Sequence, residues 1–460
     1  MNRLPPEVIA LCATFVSHDD PRPIVPLTHV CRYWRKAITS SPRNWASIST
    51  GWKRLVPLCL ERAGAVNLAV NITVSDIKGD EILLKALLPH VSRISHLSLA
   101  GYSSIEGVAD NLPGFFTSPM PNLTSLELEQ PTQPTETFPP NETPAPPLFQ
   151  NVSKLKSLHL TRTPLYPAVF SIASLVELKL VGYTTPFHFA KFTGFLDSNP
   201  DLELIVLDIQ FARHLFSFLT HARIATLARL RKLSFTCADA SDAKRLISSI
   251  QFPRGTCLEV INSPVNQGTD LHWFLPSPPT KIQELLTPIT TIKYQTTPTG
   301  EFHLSNNNSR FSFRCSNASF NPNPVFVLFN TTNVREFHAK VYPCRESFFW
   351  PLSKLPVLET LVLVDVTSFP SHSLDLLAEE PVLCPSLKTI AFFDCDLSLC
   401  IIRELEAVVT RRNNSTAARL HRVVIVRRDG KLPDYKLLQQ LRRFVPRVDV
   451  SIDEVPPDLP

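Results

Sequence analysis

The chain has 460 residues, 44% of them hydrophobic, and a mean hydropathy of +0.03, enough apolar material for one long domain or several short ones. Glycine is scarce at 12 and proline heavy at 42, which disfavours glycine-rich phosphate loops and favours short, stiff connections. The net charge of +5 sits at the ends: residues 1–62 hold nine Arg or Lys against four Asp or Glu, and residues 403–447 hold twelve against four, so an acidic body separates a basic head from a basic tail.

The first residues bear on compartment. VIALCATFV, Val8 to Val16, follows Arg3 with the length of a signal-peptide core, and Asn71, Asn122, Asn151 and Asn330 lie in glycosylation sequons. Against secretion, LPPE at Leu4 to Glu7 interrupts the basic region with two prolines and an acid, and no small-residue cleavage site follows. The ten cysteines are scattered, the closest pair, Cys395 and Cys400, being five apart, so they read as reduced thiols of a cytosolic or nuclear protein. No apolar run approaches the roughly 18 residues of a membrane-spanning helix, and no membrane association is expected.

Pro5 and Pro6 suit a helix start, because proline in the first turn loses no hydrogen bond. Val8, Ile9, Cys12, Phe15 and Val16 then recur at three- and four-residue steps, which predicts a helix over 6–16. SHDDPRP breaks it, with His18, Asp19 and Asp20 serving as turn or cap groups rather than metal ligands. In the next helix Leu27, Val30, Cys31, Trp34, Ala37 and Ile38 share one face, while Arg32, Arg35 and Lys36 lie on the other. On the apolar side the Cys31 thiol behaves as a small hydrophobe rather than a nucleophile. SSPRNWASI, Ser40 to Ile48, opens a third short helix with Trp45. Fifty residues bury little, so this unit relies on a partner.

Taken jointly, LPPEVIALCATFV, Leu27, VCRYWR at Val30 to Arg35, and Pro42 with Trp45 resemble the F-box over about residues 3–48. Cys12 and Ala13 depart from that family, which usually has a bulky Ile-Phe pair there. The resemblance implies docking onto the Skp-type adaptor of a cullin-RING ubiquitin ligase, an acidic protein joined to the cullin scaffold. The residues it assigns to the adaptor are Leu4, Pro5, Ile9, Cys12, Val16, Leu27, Val30, Cys31 and Trp34.

Beyond Gly51 the pattern predicts a helix over 55–62, a break at Gly64 and a strand alternating Leu68, Val70 and Ile72. An apolar-x-x-apolar-x-apolar motif then returns at Ile94, Leu123, Leu155, Leu175, Leu202 and Leu230, at spacings of 29, 32, 20, 27 and 28, and again at Val334, Leu358, Leu387 and Leu420. Each such strand buries its leucines on one side and cannot do so alone, so the units must stack into a parallel sheet. Helical patterns such as EILLKALLPHV, SDAKRLISSI and SLCIIRELEAVV would cover the buried side. The array resembles the leucine-rich repeat, with Thr163 and Leu165, and Cys395 and Leu397, at the family's Asn/Cys position and the apolar residue after it.

The expected fold is therefore α/β, a small three-helix F-box over 1–50 followed by an irregular leucine-rich-repeat-like solenoid over 51–460 with a curved parallel sheet. Residues 130–147 read as a Pro/Thr-rich flexible loop and 262–332 as irregular repeats, with a hairpin joining 301–304 to 310–314. Leu437, Leu438, Leu441, Phe444 and Val445 give a final amphipathic helix and VDVSID a last strand, a cap whose arginines form its solvated face.

Strand alternation turns the residues between the leucines away from the core. They include the polar Glu127, Glu129, His159 and Lys179, and the apolar Val362, Val364 and Phe393. The apolar group reads as an interaction hot spot, or as ordinary core if another segment covers it. His159, between Leu158 and Leu160, fits a plain surface histidine. No G-x-S-x-G, G-x-G-x-x-G, P-loop, H-E-x-x-H or C-x-x-C motif occurs, so neither an enzyme nor a cofactor or metal is expected. Two readings stand: a substrate receptor whose head binds the adaptor and whose repeats bind a protein target, or a repeat scaffold whose basic ends, including Arg411, Arg412, Arg427 and Arg428, bind nucleic acid or another acidic partner. No nucleic-acid-binding signature accompanies the charge.

Overall fold

A computed structural model describes residues 4–16, 22–73, 83–101, 115, 118–130, 152–163, 167–183, 189–209, 224–237, 240–253, 255–262, 290–296, 302–306, 311–315, 331–340, 352–365, 374, 377, 383–395, 397, 399–415, 417–427 and 434–451. The chain is mixed α/β with extensive parallel sheet and forms two compact units, one of residues 1–232 with 249–253 and one of residues 233–248 with 254–460. Leu165, Arg428 and all of the 130–147 segment except Gln130 lie outside the described residues.

In the first unit, α1 (Pro6–Val16) has the bounds its sequence predicts. The segment expected as one helix is two, α2 (Ile24–Thr28) and α3 (Arg32–Thr39). The break falls at Cys31, whose backbone is extended (φ −162°, ψ 171°) and whose Sγ accepts the Trp34 N–H at 3.5 Å, so this residue caps α3 instead of lying within a helix. Arg35 Nε reaches back to Thr28 O at 3.0 Å and satisfies a terminal carbonyl of α2. Ile9, Ala13, Ile24, Ala37 and Ile38 form the small core.

The third element is a 3-10 turn, Pro42–Trp45, anchored by a fully buried amide. Asn44 accepts the Thr14 hydroxyl at 2.6 Å through Oδ1 and donates to Ile38 O at 3.2 Å through Nδ2. Trp45 Nε1 donates to the same carbonyl at 3.2 Å, and Arg62, on α4 (Val56–Ala63), stacks 4.3 Å above its ring. No linker separates these helices from the sheet: β1 (Ser47–Ser49) already pairs in parallel with β2 (Leu68–Thr73).

From β2 the sheet adds β3 (Ile94–Ala100), β4 (Ser125–Glu129), β5 (Ser157–Thr161), β6 (Glu177–Tyr183) and β7 (Leu204–Ile209), each parallel to the strand before it. Registration aligns Ile48, Val70, Leu97, Leu126, Leu158, Leu178 and Ile205 in one row and Ile72, Leu99, Leu128, Leu160, Leu180 and Leu207 in a second. None is more than 3% exposed. Burying one such side chain contributes about 1.5–3 kcal/mol, and a one-residue slip would turn a whole row outward, so the rows fix the register.

The backbone repeats with the rows. The N–H entering each strand donates to the carbonyl at the same station one repeat earlier: Thr124 to Ser95, Lys156 to Thr124, Val176 to Lys156, Glu203 to Val176 and Arg231 to Glu203, all at 2.7–2.8 Å. A turn three residues long precedes the leucine, as in Leu123 N to Met120 O, Leu155 N to Val152 O, Leu202 N to Asn199 O and Leu230 N to Leu227 O. The unit therefore begins three residues before the leucine that marks it in the sequence. Within the unit, α5 (Phe189–Asp197) buries Phe192 and Phe195. The chain continues as β8 (Ala225–Thr226), passes through β9 (Lys232–Cys237) and α6 (Ala240–Ser249), and returns as β10 (Ile250–Gln251), which pairs with β8.

The second unit contains β11 (Cys257–Asn262), β12 (Thr291–Thr296), β13 (Phe302–Asn306), β14 (Phe311–Cys315), β15 (Glu336–Lys340), β16 (Thr360–Val364), β17 (Thr389–Phe393), α7 (Leu399–Asn413), β18 (Arg422–Val426), α8 (Tyr435–Phe444) and β19 (Arg447–Ser451). Strands β12 and β15 to β19 are parallel neighbours and carry the same relay, from Thr290 through Arg335, Glu359, Lys388 and His421 to Arg447. The expected hairpin is β13 with β14, antiparallel, and it sits inside the parallel order because β13 pairs β12 and β14 pairs β11.

One tail arginine is not on a solvated face. Arg412, at the end of α7, is 0% exposed, and its guanidinium donates to Ala418 O, Leu383 O, Cys384 O, Pro385 O and Leu387 O at 3.0–3.3 Å. It ties the turn before β17 to the connection after α7. Among the described residues no helix is long and apolar enough to cross a membrane.

Candidate functional site

The helical head carries an apolar face that its own fold leaves open. Val8, Leu11 and Phe15 on α1 are 38%, 56% and 76% exposed, with Leu4, Cys12, Val16 and Val30 exposed beside them. Steps of three and four residues put Val8, Leu11, Cys12 and Phe15 on one side of the helix. Tyr33 Oη donates to Leu4 O at 3.0 Å, so α3 holds the leading segment in place.

Of the residues the sequence assigns to this surface, Leu4, Pro5, Cys12, Val16 and Val30 are exposed, while Leu27, Cys31 and Trp34 are half-buried. Ile9, 1% exposed, packs inward with Ala13 and is not on the surface, since the helix is apolar on nearly every side and its tighter face takes the core. Val8 and Phe15 belong to the apolar stripe the sequence predicts but not to the residues assigned to the adaptor, and Leu11 belongs to neither. Arg32, Arg35 and Lys36 are exposed on α3, as their spacing predicts.

On the sheet of the first unit, the side opposite the leucine rows is polar. Registration aligns Asn71, Ser98, Glu127, His159, Lys179 and Val206 in one row, flanked by His96, Ser125, Ser157 and Glu177 in another. At β5 and β6 these groups satisfy one another. Glu177 Oε1 lies 2.6 Å from Lys179 Nζ and 3.2 Å from His159 Nε2, and Ser157 Oγ donates to Glu177 Oε2 at 3.0 Å. Burial raises the Glu177 pKa, but the hydrogen bonds from Lys179, Ser157 and His159 outweigh it and hold the carboxyl below its usual range.

His159 is thus a partnered group rather than the plain surface histidine its sequence position predicts. Ser157, His159 and Glu177 do not make a catalytic triad. A triad needs the imidazole to face nucleophile and carboxylate through different nitrogens, whereas Nε2 faces both Ser157 Oγ (3.3 Å) and Glu177 here.

Toward β1 the same face is unlike this. A cavity of about 460 Å³ opens over β1–β4, lined by Thr14, Arg43, Ser47, Asn67, Asn71, His96, Ser98, Ser125 and Glu127 among others. Of the two β4 carboxylates, Glu127 lines the cavity and is exposed, while Glu129, two residues further along the strand, is half-exposed and outside the lining.

In the second unit the side away from the core is apolar where the sequence places Val362, Val364 and Phe393. Registration sets Val362, Ala391 and Val424 in one row and Val364, Phe393 and Val426 in the next. Val362 is 3% and Ala391 5% exposed, so the middle of this patch is core rather than open surface, while Val364 and Phe393 are half-buried. Beside it His338 Nε2 donates to Glu336 Oε1 at 2.8 Å, and its buried Nδ1 has no partner among the described residues.

Among the described residues no group of three or more His, Cys, Asp or Glu side chains is placed to hold a metal ion. No protein-family model and no curated protein matches the chain.

Proposed function

We propose that the chain is a non-enzymatic substrate-receptor subunit of an SCF-type cullin-RING ubiquitin ligase: the head docks on a Skp-type adaptor as an F-box, and the repeats, a leucine-rich-repeat-like solenoid, bind a protein target in the cytosol or nucleus. The observation that carries this reading is the exposed apolar face of α1. Phe15 at 76% and Leu11 at 56%, with Val8 and Val16 beside them, are large side chains grouped on one short helix, the signature of a surface that meets a protein. The exposed Arg32, Arg35 and Lys36 nearby suit an acidic partner. The repeat reading draws on Thr163 and Cys395, whose side chains make the same pair of bonds in different repeats.

The scaffold alternative, with nucleic acid on the basic tail, has less support. Arg412 is buried, and Arg427 donates to Cys395 O at 2.9 Å.

Co-purification with a Skp-type adaptor tests the proposal. Wild type co-elutes, and Leu11→Asp with Phe15→Asp abolishes co-elution while leaving thermal unfolding unchanged, because both side chains face solvent. Failure of the wild type to co-elute, or retention by the double variant, overturns it.

A further inference from the structure

We propose that the cavity over β1–β4 binds an extended peptide segment and receives a lysine or arginine side chain of that segment against Glu127 and Glu129. The inference gives a substrate class to the receptor reading and rests on that reading only in calling the peptide a target.

Two halves of one sheet face supply the argument. At β5 and β6 the polar groups are spent on each other, through Ser157, His159, Glu177 and Lys179. Over β1–β4 many are not: Thr14, Ser47, Ser95 and His96 are engaged elsewhere, but Arg43, Asn67, Asn71, Ser98, Ser125 and Glu127 also line the cavity, and the side chains of these six have no hydrogen-bond or ion-pair partner among the described residues. Six polar side chains directed at one concavity, with no use for one another, form a lining whose partners must come from outside.

The chemistry of the lining selects the ligand. Asn and Ser both donate and accept, which matches the alternating N–H and C=O groups of a peptide backbone. Three strand spacings of about 4.8 Å separate β1 from β4, roughly 14 Å, the reach of about four extended residues. A volume of about 460 Å³ lies within the range of specific binding pockets.

Charge sets the polarity. Glu127 and Glu129 project from the same side of β4, roughly 7 Å apart. The cations nearest in register give them no relief, because His159, opposite Glu127, and Lys179, one strand further, both face Glu177. Arg43, four residues before β1 in the chain, also lines the cavity. A phosphate-rich ligand would meet the two carboxylates, whereas a peptide with a basic side chain toward β4 pairs with them and leaves Arg43 for a carbonyl or an acidic neighbour.

The test is an oriented library of degenerate hexapeptides, with one fixed position, captured by the full chain without adaptor. Wild type enriches Lys or Arg at the fixed position over Glu or Asp. Glu127→Gln with Glu129→Gln lowers that enrichment roughly two- to fivefold per carboxylate. Glu127→Lys with Glu129→Lys inverts the preference toward Asp or Glu, a gain that a misfolded variant cannot produce. An absence of basic preference in the wild type, or a preference that survives charge reversal, overturns the site. Loss of adaptor co-elution with the preference intact would overturn the ligase reading alone, and the converse would overturn the peptide site alone.

Discussion

Thr163 and Cys395 hold the same station in two different repeats. Thr163 Oγ1 donates at 3.1 Å to Thr161 O and 3.1 Å to Leu128 O, while Cys395 Sγ donates at 3.3 Å to Phe393 O and 3.3 Å to Leu363 O. Each side chain spans the carbonyl two residues behind it and the inward leucine of the preceding strand, and each is 1% exposed. Thr163→Val keeps the shape and removes the donor, so it should cost about 1–3 kcal/mol in urea denaturation, the penalty for a buried polar group left unpaired. Thr163→Cys, which restores a weak donor, should recover part of that loss. Equal stability of the Val and wild-type proteins would contradict the shared role.

Arg412 is expected to be the most sensitive charged residue of the tail. Arg412→Met removes the guanidinium donors from five carbonyls, of which Cys384 O and Pro385 O keep the N–H groups of Leu387 and Ala418, and should destabilise the chain by about 3–5 kcal/mol. Arg412→Lys should recover little, because one ammonium cannot match a planar fork aimed at separate acceptors. Hydrogen exchange would place the loosening at residues 383–387 and 418–421. An Arg412→Met protein as stable as wild type would show the network to be dispensable.

Acid should weaken the second unit partly through Glu336. The hydrogen bond from His338 holds the Glu336 pKa below its usual value, with burial pulling it up and His338, Thr291 and Lys293 adding to the downward pull. A carboxyl with a depressed folded-state pKa stabilises the fold above its ordinary value of about 4.3, and the contribution disappears as pH falls through the lower, folded value. The stability difference between wild type and Glu336→Gln should thus be constant from about pH 6 to about pH 5 and shrink below about pH 4. A difference independent of pH would remove Glu336 as its source.

The thiols should divide sharply by accessibility. Burial pushes Cys59 up to about 11 against the pull of Arg62, and Cys384 up to about 12 against the pull of Arg412. Cys12 and Cys400 are exposed. Alkylation of the native chain at about pH 8, read by peptide mass mapping, should label Cys12 and Cys400 first and leave Cys59 and Cys384 untouched until denaturant is added. Early labelling of Cys384 would mean that the turn held by Arg412 opens readily.

Legibility followed the kind of information each feature needs. The strands were plain because paired leucines at fixed spacing need no partner to be recognised, and α1 because Pro6 marks its start and the apolar steps its course. Which side of α1 faces in was not plain: with Val8, Ile9, Leu11, Ala13 and Phe15 all apolar, periodicity names a helix without choosing a face. The break before α3 was hidden because a cysteine is not among the residues that usually cap a helix. Period-two alternation turned Val362 away from the leucines correctly, yet direction says nothing about what lies over it. Arg412 misled because a full arginine is seldom buried, and His159 because its partner Glu177 lies on the next strand.

The relay that runs from Ser95 to Arg231, and again from Thr290 to Arg447, is made of main-chain atoms alone. Any residue except proline can donate in it, so substitution at these stations leaves the chain of bonds whole. The links need not be evenly spaced: 31 residues lie between Thr124 and Lys156 but only 19 between Lys156 and Val176, and both bonds form. Such an architecture tolerates growth, loss and rewriting of its units while the stitching stays fixed, and its ancestry is better sought in the positions of its carbonyls than in the identities of its side chains.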